Sequence, residues 1–151
     1  MMVSGSDDGR VKVWSTTQAS SVCTIDMRAN VCCVKYNPAT HNQVAVGCAD
    51  HNVHIFDLRK TASPLQVLAG HRKAVSYVRY ASSTEVVSAS TDGTLRVWEI
   101  GGDGIVKTLS GHMNEKNFVG LSVTSQFVSC GSETNDVYVY YKHVSGPLAC
   151  L

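Results

Sequence analysis

Trp14, Phe56, Trp98 and Tyr140 stand 42 residues apart, and each closes a copy of one eleven-residue motif. The third copy is Ser88-Ala89-Ser90-Thr91-Asp92-Gly93-Thr94-Leu95-Arg96-Val97-Trp98; the first runs from Ser4 to Trp14, the second from Val46 to Phe56, and the weakest from Cys130 to Tyr140. A fixed period of this length makes the chain an array of like units, each needing its neighbours to bury an apolar face. Within a copy the pattern is strand, tight turn, strand. Val86 to Ser90 and Leu95 to Ile100 are β-rich runs, and Thr91-Asp92-Gly93 between them carries hairpin-turn chemistry. Period-two alternation puts Leu95 and Val97 on one face and Arg96 and Trp98 on the other. Two more runs, such as Leu65–Leu68 and Val75–Tyr80, bring each unit to four short strands. No segment keeps a 3.6-residue period over two turns, and 22 Val with only three Pro suit an all-β chain.

Composition excludes several functions. A formal net charge of +1 offers no basic field for nucleic acid. No apolar run approaches the length of about 18 residues that a membrane helix needs. Met1 opens no charged-then-apolar leader, so an intracellular compartment is expected. Cys23, Cys32, Cys33, Cys48, Cys130 and Cys150 include no pair with zinc-knuckle spacing, and adjacent Cys32 and Cys33 point to opposite faces of a strand. They read as small buried apolar residues. His51 and His54 would sit on opposite strand faces with no further ligand pair, so no metal or other cofactor is expected. Gly101-Gly102-Asp103-Gly104 lacks the Gly-Lys-Ser/Thr of a phosphate loop and reads as a flexible connection.

Four strands per 42 residues, a Gly-His ahead of them (Gly70-His71, Gly111-His112) and a Trp-acidic end (Trp98-Glu99) resemble the WD40 repeat of β-propellers. The resemblance implies an all-β partial propeller of about three and a half four-stranded blades. Its divisions would be the end of a truncated blade over 1–15, WD40 blades over 16–57, 58–99 and 100–141, and the start of a next blade or a tail over 142–151. Such an array reads as a fragment, a truncated gene model or a ring closed by another chain. By the same resemblance His71, Ser88, Asp92 and Trp98 form a structural hydrogen-bond network. A Ser-His-Asp hydrolase is the alternative, but no nucleophile elbow or oxyanion-hole signature accompanies these residues. Asp26-Met27 in place of Gly-His, and Thr134 in place of the turn Asp, predict incomplete networks in the second and fourth units.

Three stretches are more specific: Ile25 to Pro38, Gly111 to Leu121 and Gly131 to Tyr140. Together they resemble the C-terminal WD40 propeller of the constitutive-photomorphogenesis RING-type E3 ubiquitin ligases. The related suppressor-of-phytochrome-A accessory proteins share much of this pattern but vary at Asp26-Met27 and Glu115-Lys116. This resemblance implies a substrate receptor for acidic Val-Pro peptides of transcription factors and photoreceptors. It also implies suppressor-type accessory partners and a place in nucleus and cytoplasm. Peptide contacts would fall on His51, Lys73, Glu115 and Phe118, with Lys116 and Asn117 beside them. Phe56-Asp57-Leu58-Arg59 resembles the Trp-Asp-x-Arg box of cullin-4 adaptor receptors, pointing to Asp57 and Arg59 as adaptor contacts. Alternation of strand direction independently puts Asp50-His51, Lys73, Asp92 and the Met113–Asn117 loop at one end and Arg59 at the other. Other readings stay open: Lys73 as a solvated loop lysine, Phe118 as the first core residue of its strand, and Arg59 as a blade-closing arginine paired with Asp57 or a loop acid. No catalytic residue is expected, because apolar strand surroundings would raise the thiol pKa of Cys32 or Cys33. An accessory regulator or a generic WD40 scaffold are the alternatives to the ligase propeller.

Overall fold

The computed structural model describes residues 1–151 and contains strands, turns and loops without a helix. Strands β1 (Met2–Gly5), β2 (Arg10–Trp14) and β3 (Cys23–Asp26) form a three-stranded sheet. Three four-stranded sheets follow. The second holds β4 (Val31–Tyr36), β5 (Gln43–Cys48), β6 (Asn52–Asp57) and β7 (Gln66–Ala69), and the third β8 (Val75–Tyr80), β9 (Glu85–Ser90), β10 (Thr94–Glu99) and β11 (Ile105–Ser110). The fourth holds β12 (Leu121–Val123), β13 (Phe127–Gly131), β14 (Val137–Tyr141) and β15 (Ala149–Cys150). Within each sheet every strand pairs antiparallel with its sequence neighbour, the meander of a propeller blade.

Strand alternation explains where the core lies. Val53 and Ile55 point from β6 toward the third sheet, where they meet Val75, Val78 and Trp98. Val44, Val46 and Phe56 point the other way, toward Val11 and Ile25 of the first sheet. The joint between the third and fourth sheets buries Leu95, Val97, Leu121, Val128 and Tyr140. Each sheet is thus covered by its neighbour. Close approach is secured by a column of small residues, Gly5, Gly47, Ala89 and Gly131, spaced by the same 42 residues. A Cβ on Gly47 would lie 2.6 Å from Cys33 Sγ and 2.9 Å from Val75 Cγ1 of the next sheet.

Two boundaries differ from those read in the sequence. The spans 16–57, 58–99 and 100–141 are repeat units but not sheets. Each begins with the outermost strand of one sheet (β3, β7 or β11) and supplies the inner three strands of the next. The offset arises because a repeat counted to its aromatic residue stops at the third strand, while the fourth pairs back onto it. Residues 142–151 likewise complete the fourth sheet: β15 pairs with β14, and Val137 and Leu151 exchange backbone bonds at 2.8 and 2.9 Å. A two-residue exposed strand after Gly146-Pro147 has no alternation to reveal it.

The meander sorts the connections onto two ends. The β3–β4, β7–β8 and β11–β12 loops share one end with the β5–β6, β9–β10 and β13–β14 turns. Gly9, His51, Gly93 and Asn135 occupy the same position in successive turns and all have left-handed backbones, with φ of 78°, 75°, 76° and 66°. Glycine is strain-free there; His51 is not.

Candidate protein-interaction site

The third sheet supplies the rigid floor of this end. His71 Nδ1 lies 3.0 Å from Asp92 Oδ2, and His71 Nε2 lies 2.7 Å from Ser88 Oγ, which also accepts from Trp98 Nε1 at 2.7 Å. Asp92 additionally accepts the Arg72 N–H at 2.9 Å and the Thr94 hydroxyl at 2.6 Å. Burial works to raise the Asp92 carboxyl, but the hydrogen bonds from His71, Thr94 and Arg72 outweigh it and leave it well below the usual carboxylate range. Burial pushes His71 down, which favours neutral imidazole. The four side chains tie loop, strand and turn together, with the hydroxyl of Ser88 held between imidazole and indole.

Beside this network a cleft of about 630 Å³ opens between the β7–β8 and β11–β12 loops, with Arg72, Lys73, Asp92, Met113 and Glu115 among its walls. Lys73 Nζ donates to the Glu115 carbonyl across the cleft at 3.3 Å. Lys116, Asn117 and Phe118 continue the same loop. Phe118 is not core: it is 49% exposed and sits edge-on to Tyr77, with ring centroids 6.0 Å apart. The Tyr77 hydroxyl donates to the Phe118 carbonyl at 3.5 Å, and the Arg79 guanidinium lies 5.8 Å from the Tyr77 ring. His51 lies exposed on the same end but in the turn of the neighbouring sheet, outside the cleft walls.

Two contributors escaped the sequence reading. Tyr77 looked like one more strand residue. Glu133 is the other: its Oε1 accepts the N–H groups of Glu115, Lys116 and Asn117 at 3.1, 2.7 and 2.7 Å. Backbone bonds from Asn117 and Lys116 hold its carboxyl below the ordinary glutamate value. The available signal was an acid in the fourth turn where the third has Thr91.

At the opposite end Arg59 folds back on Asp57. Its Nε and Nη2 donate at 2.6 to 3.1 Å, and these bonds lower the Asp57 carboxyl to about 2. The Arg59 side chain remains 72% exposed. Lys142, buried in the fourth sheet, donates to Glu85 of the third at 2.7 Å and clasps the two sheets at that end.

Of the six cysteines read as buried, only Cys48 and Cys130 are; Cys23, Cys32 and Cys33 are half-buried and Cys150, on the short edge strand β15, is exposed. Burial pushes the Cys33, Cys48 and Cys130 thiols up to about 12, so they stay protonated at neutral pH. Cys48, Asp50 and His54 offer ligand atoms within 4.8 Å of one another. His54 Nε2 and Asp50 Oδ2, however, are bonded directly at 2.8 Å, filling the space between them with a hydrogen bond. No helix of the structure is long and apolar enough to cross a membrane.

Comparison with known proteins places this geometry. Residues 1–147 match the model of the β-propeller family described as Nucleolar protein 10-like, N-terminal domain. The chain belongs to that family. Within this propeller family it is 58% identical over 148 residues to the E3 ubiquitin-protein ligase COP1 of Arabidopsis thaliana, and equally to that of Pisum sativum. Each match covers 98% of this propeller chain and 22% of the relative. Protein SUPPRESSOR OF PHYA-105 1 of Arabidopsis thaliana is 47% identical over 154 residues, covering 97% of the chain and 15% of that protein. The propeller therefore spans about a fifth of the ligases it resembles.

Proposed function

We propose that this propeller is a substrate-recognition WD40 domain of a RING-type E3 ubiquitin ligase. It binds acidic peptides with a Val-Pro core and so directs transcription regulators and photoreceptors to ubiquitination. One observation carries the reading: Lys73 and Phe118, on adjacent loops, are joined through Glu115 into a surface with a cation, a carboxylate and an exposed aromatic ring. Lys73 suits acidic flanks, Phe118 offers an apolar wall for Val and Pro, and Glu115 pairs with a backbone or basic donor. Lys116 and Asn117 line the rim. The left-handed His51, held where glycine would be strain-free, supports a role for its side chain on the same end. The chain binds and does not catalyse. Asp57 and Arg59, at the far end, form the contact for a cullin-4 adaptor, and suppressor-type accessory proteins are partners in nucleus and cytoplasm. The higher identity to the ligases, 58% against 47%, favours this reading over an accessory regulator.

The test is fluorescence polarisation with a labelled acidic Val-Pro peptide and its Ala-Ala counterpart. The wild-type chain is expected to prefer Val-Pro, and Lys73→Glu and Phe118→Ala each to weaken it by about tenfold or more, roughly 1.4 kcal/mol. Equal binding of the two peptides by the wild-type chain overturns the proposal.

A further inference from the structure

The loop that carries Glu115, Lys116, Asn117 and Phe118 runs from 111 to 120, ten residues between β11 and β12 against five between β7 and β8. A loop of that length has more freedom to lose on ordering. Its first half is anchored by the β13–β14 turn: Ser132 Oγ donates to the Met113 carbonyl at 3.0 Å and Glu133 N–H to the same oxygen at 2.9 Å. In its second half the backbone amides gather on one atom. Three successive amides, those of Glu115, Lys116 and Asn117, converge on Glu133 Oε1. Consecutive N–H groups turned toward one point form an anion-binding concavity, and here the anion is built into the chain. Fixing these amides also fixes the Glu115 carbonyl, which takes the Lys73 ammonium, and leads directly into Phe118.

We infer that Glu133 is the positioning residue of the peptide surface: its carboxylate holds the 115–117 backbone so that Lys73, Glu115 and Phe118 face one ligand together. It touches no ligand itself. The inference rests on the peptide-binding reading above and adds to it the group that pre-organises the site, which raises affinity by removing ordering costs at binding.

The experiment uses the 151-residue chain with the same labelled Val-Pro and Ala-Ala peptides, and compares wild type, Glu133→Ala and Glu133→Gln. Amide hydrogen exchange at 115–117 and thermal unfolding are recorded on each. Glu133→Ala is expected to speed exchange at 115–117, to weaken Val-Pro binding by about tenfold and to leave Tm within about 2 °C, since the side chain is only partly buried and lies outside the core. Glu133→Gln keeps an acceptor oxygen and is expected to restore most of the affinity, which a role as a bare surface charge would not give. Val-Pro binding by Glu133→Ala within about twofold of wild type, or unchanged exchange at 115–117, overturns the inference while leaving the peptide reading in place. A wild-type chain that fails to distinguish the two peptides overturns the peptide reading, and the inference falls with it.

Discussion

The third and fourth sheets share one topology and one repeat, yet hold their loops by different means. In the third, His71 is locked from both sides, by Asp92 and by Ser88, which also takes the Trp98 indole. In the fourth the same positions hold His112, Thr134, Cys130 and Tyr140. His112 Nδ1 pairs with the Tyr140 hydroxyl at 2.9 Å, its Nε2 is buried without a partner, and Cys130 stands where the third sheet has Ser88. Thr134 turns to Asp136 at 2.6 Å and leaves the loop alone. Loop-holding passes to half-buried Glu133 and backbone amides. A buried side-chain network gives stability; a surface clamp gives shape to a longer loop at little expense to the core. One repeat thus yields a structural joint and a recognition surface side by side.

The largest expected difference follows from the aromatic anchors. Trp98 and Tyr140 are both fully buried, but only the indole nitrogen feeds a closed network. Trp98→Ala should cost about 3–5 kcal/mol, combining lost volume with the lost indole bond to Ser88. Tyr140→Phe, which keeps the ring and removes the partner of His112, should cost about 1 kcal/mol. Urea unfolding of the two variants measures both. Similar losses would mean that the third-sheet network adds nothing beyond packing.

Acid separates the two sheets next. The Asp92 carboxyl is held below its unfolded value of about 3.9. Its contribution is therefore complete above that value and is lost as pH falls through it toward the folded pKa. The fourth sheet has neutral Thr134 at this position, and its acid-sensitive bonds are those of Glu133 to the loop amides. Asp92→Asn should lower stability by about 2 kcal/mol at pH 7 and then lose less than wild type between pH 5 and 3. Unfolding midpoints at the three pH values supply the check; parallel losses in both proteins would remove Asp92 from the acid response.

Much of this was legible in the sequence, because a period of 42 constrains every residue that shares a slot. Strands β8 to β10 and the turn at Gly93 follow from spacing and side-chain type, while the meeting of His71 with Asp92 is what the WD40 resemblance implies. The two ends of the barrel-like meander follow from strand direction. What escaped was whatever the repeat does not encode. β15 is too short to alternate, and sheet boundaries are offset because pairing partners need not be repeat partners. Glu133 acts on backbone amides whose positions no residue type announces. Arg59 could be placed on the far end with Asp57 as one open partner, and the choice of Asp57 over a loop acid depended on a rotamer.

The smallest effect sharpens the comparison most. If the fourth sheet differs from the third chiefly by a missing hydroxyl, Cys130→Ser should supply it. Cys130 is 3% exposed and packs among Leu121, Val128 and Tyr140, so the smaller side chain gives up some apolar contact. Against that, a serine hydroxyl in the slot of Ser88 adds a buried hydrogen-bonding group beside the His112–Tyr140 pair, and a bond made there is worth about 1 kcal/mol. The two terms nearly offset, and the expected gain is about 0.5 kcal/mol by urea midpoint. The control is His112→Phe, which removes the orphan: there Cys130→Ser should turn from mildly stabilising to destabilising, a coupling that a double-mutant cycle reads directly. Additive behaviour would show that the fourth sheet's loop gains nothing from a hydroxyl at position 130, leaving Glu133, the Met113 anchors and the Lys73, Tyr77 and Tyr140 contacts as its support.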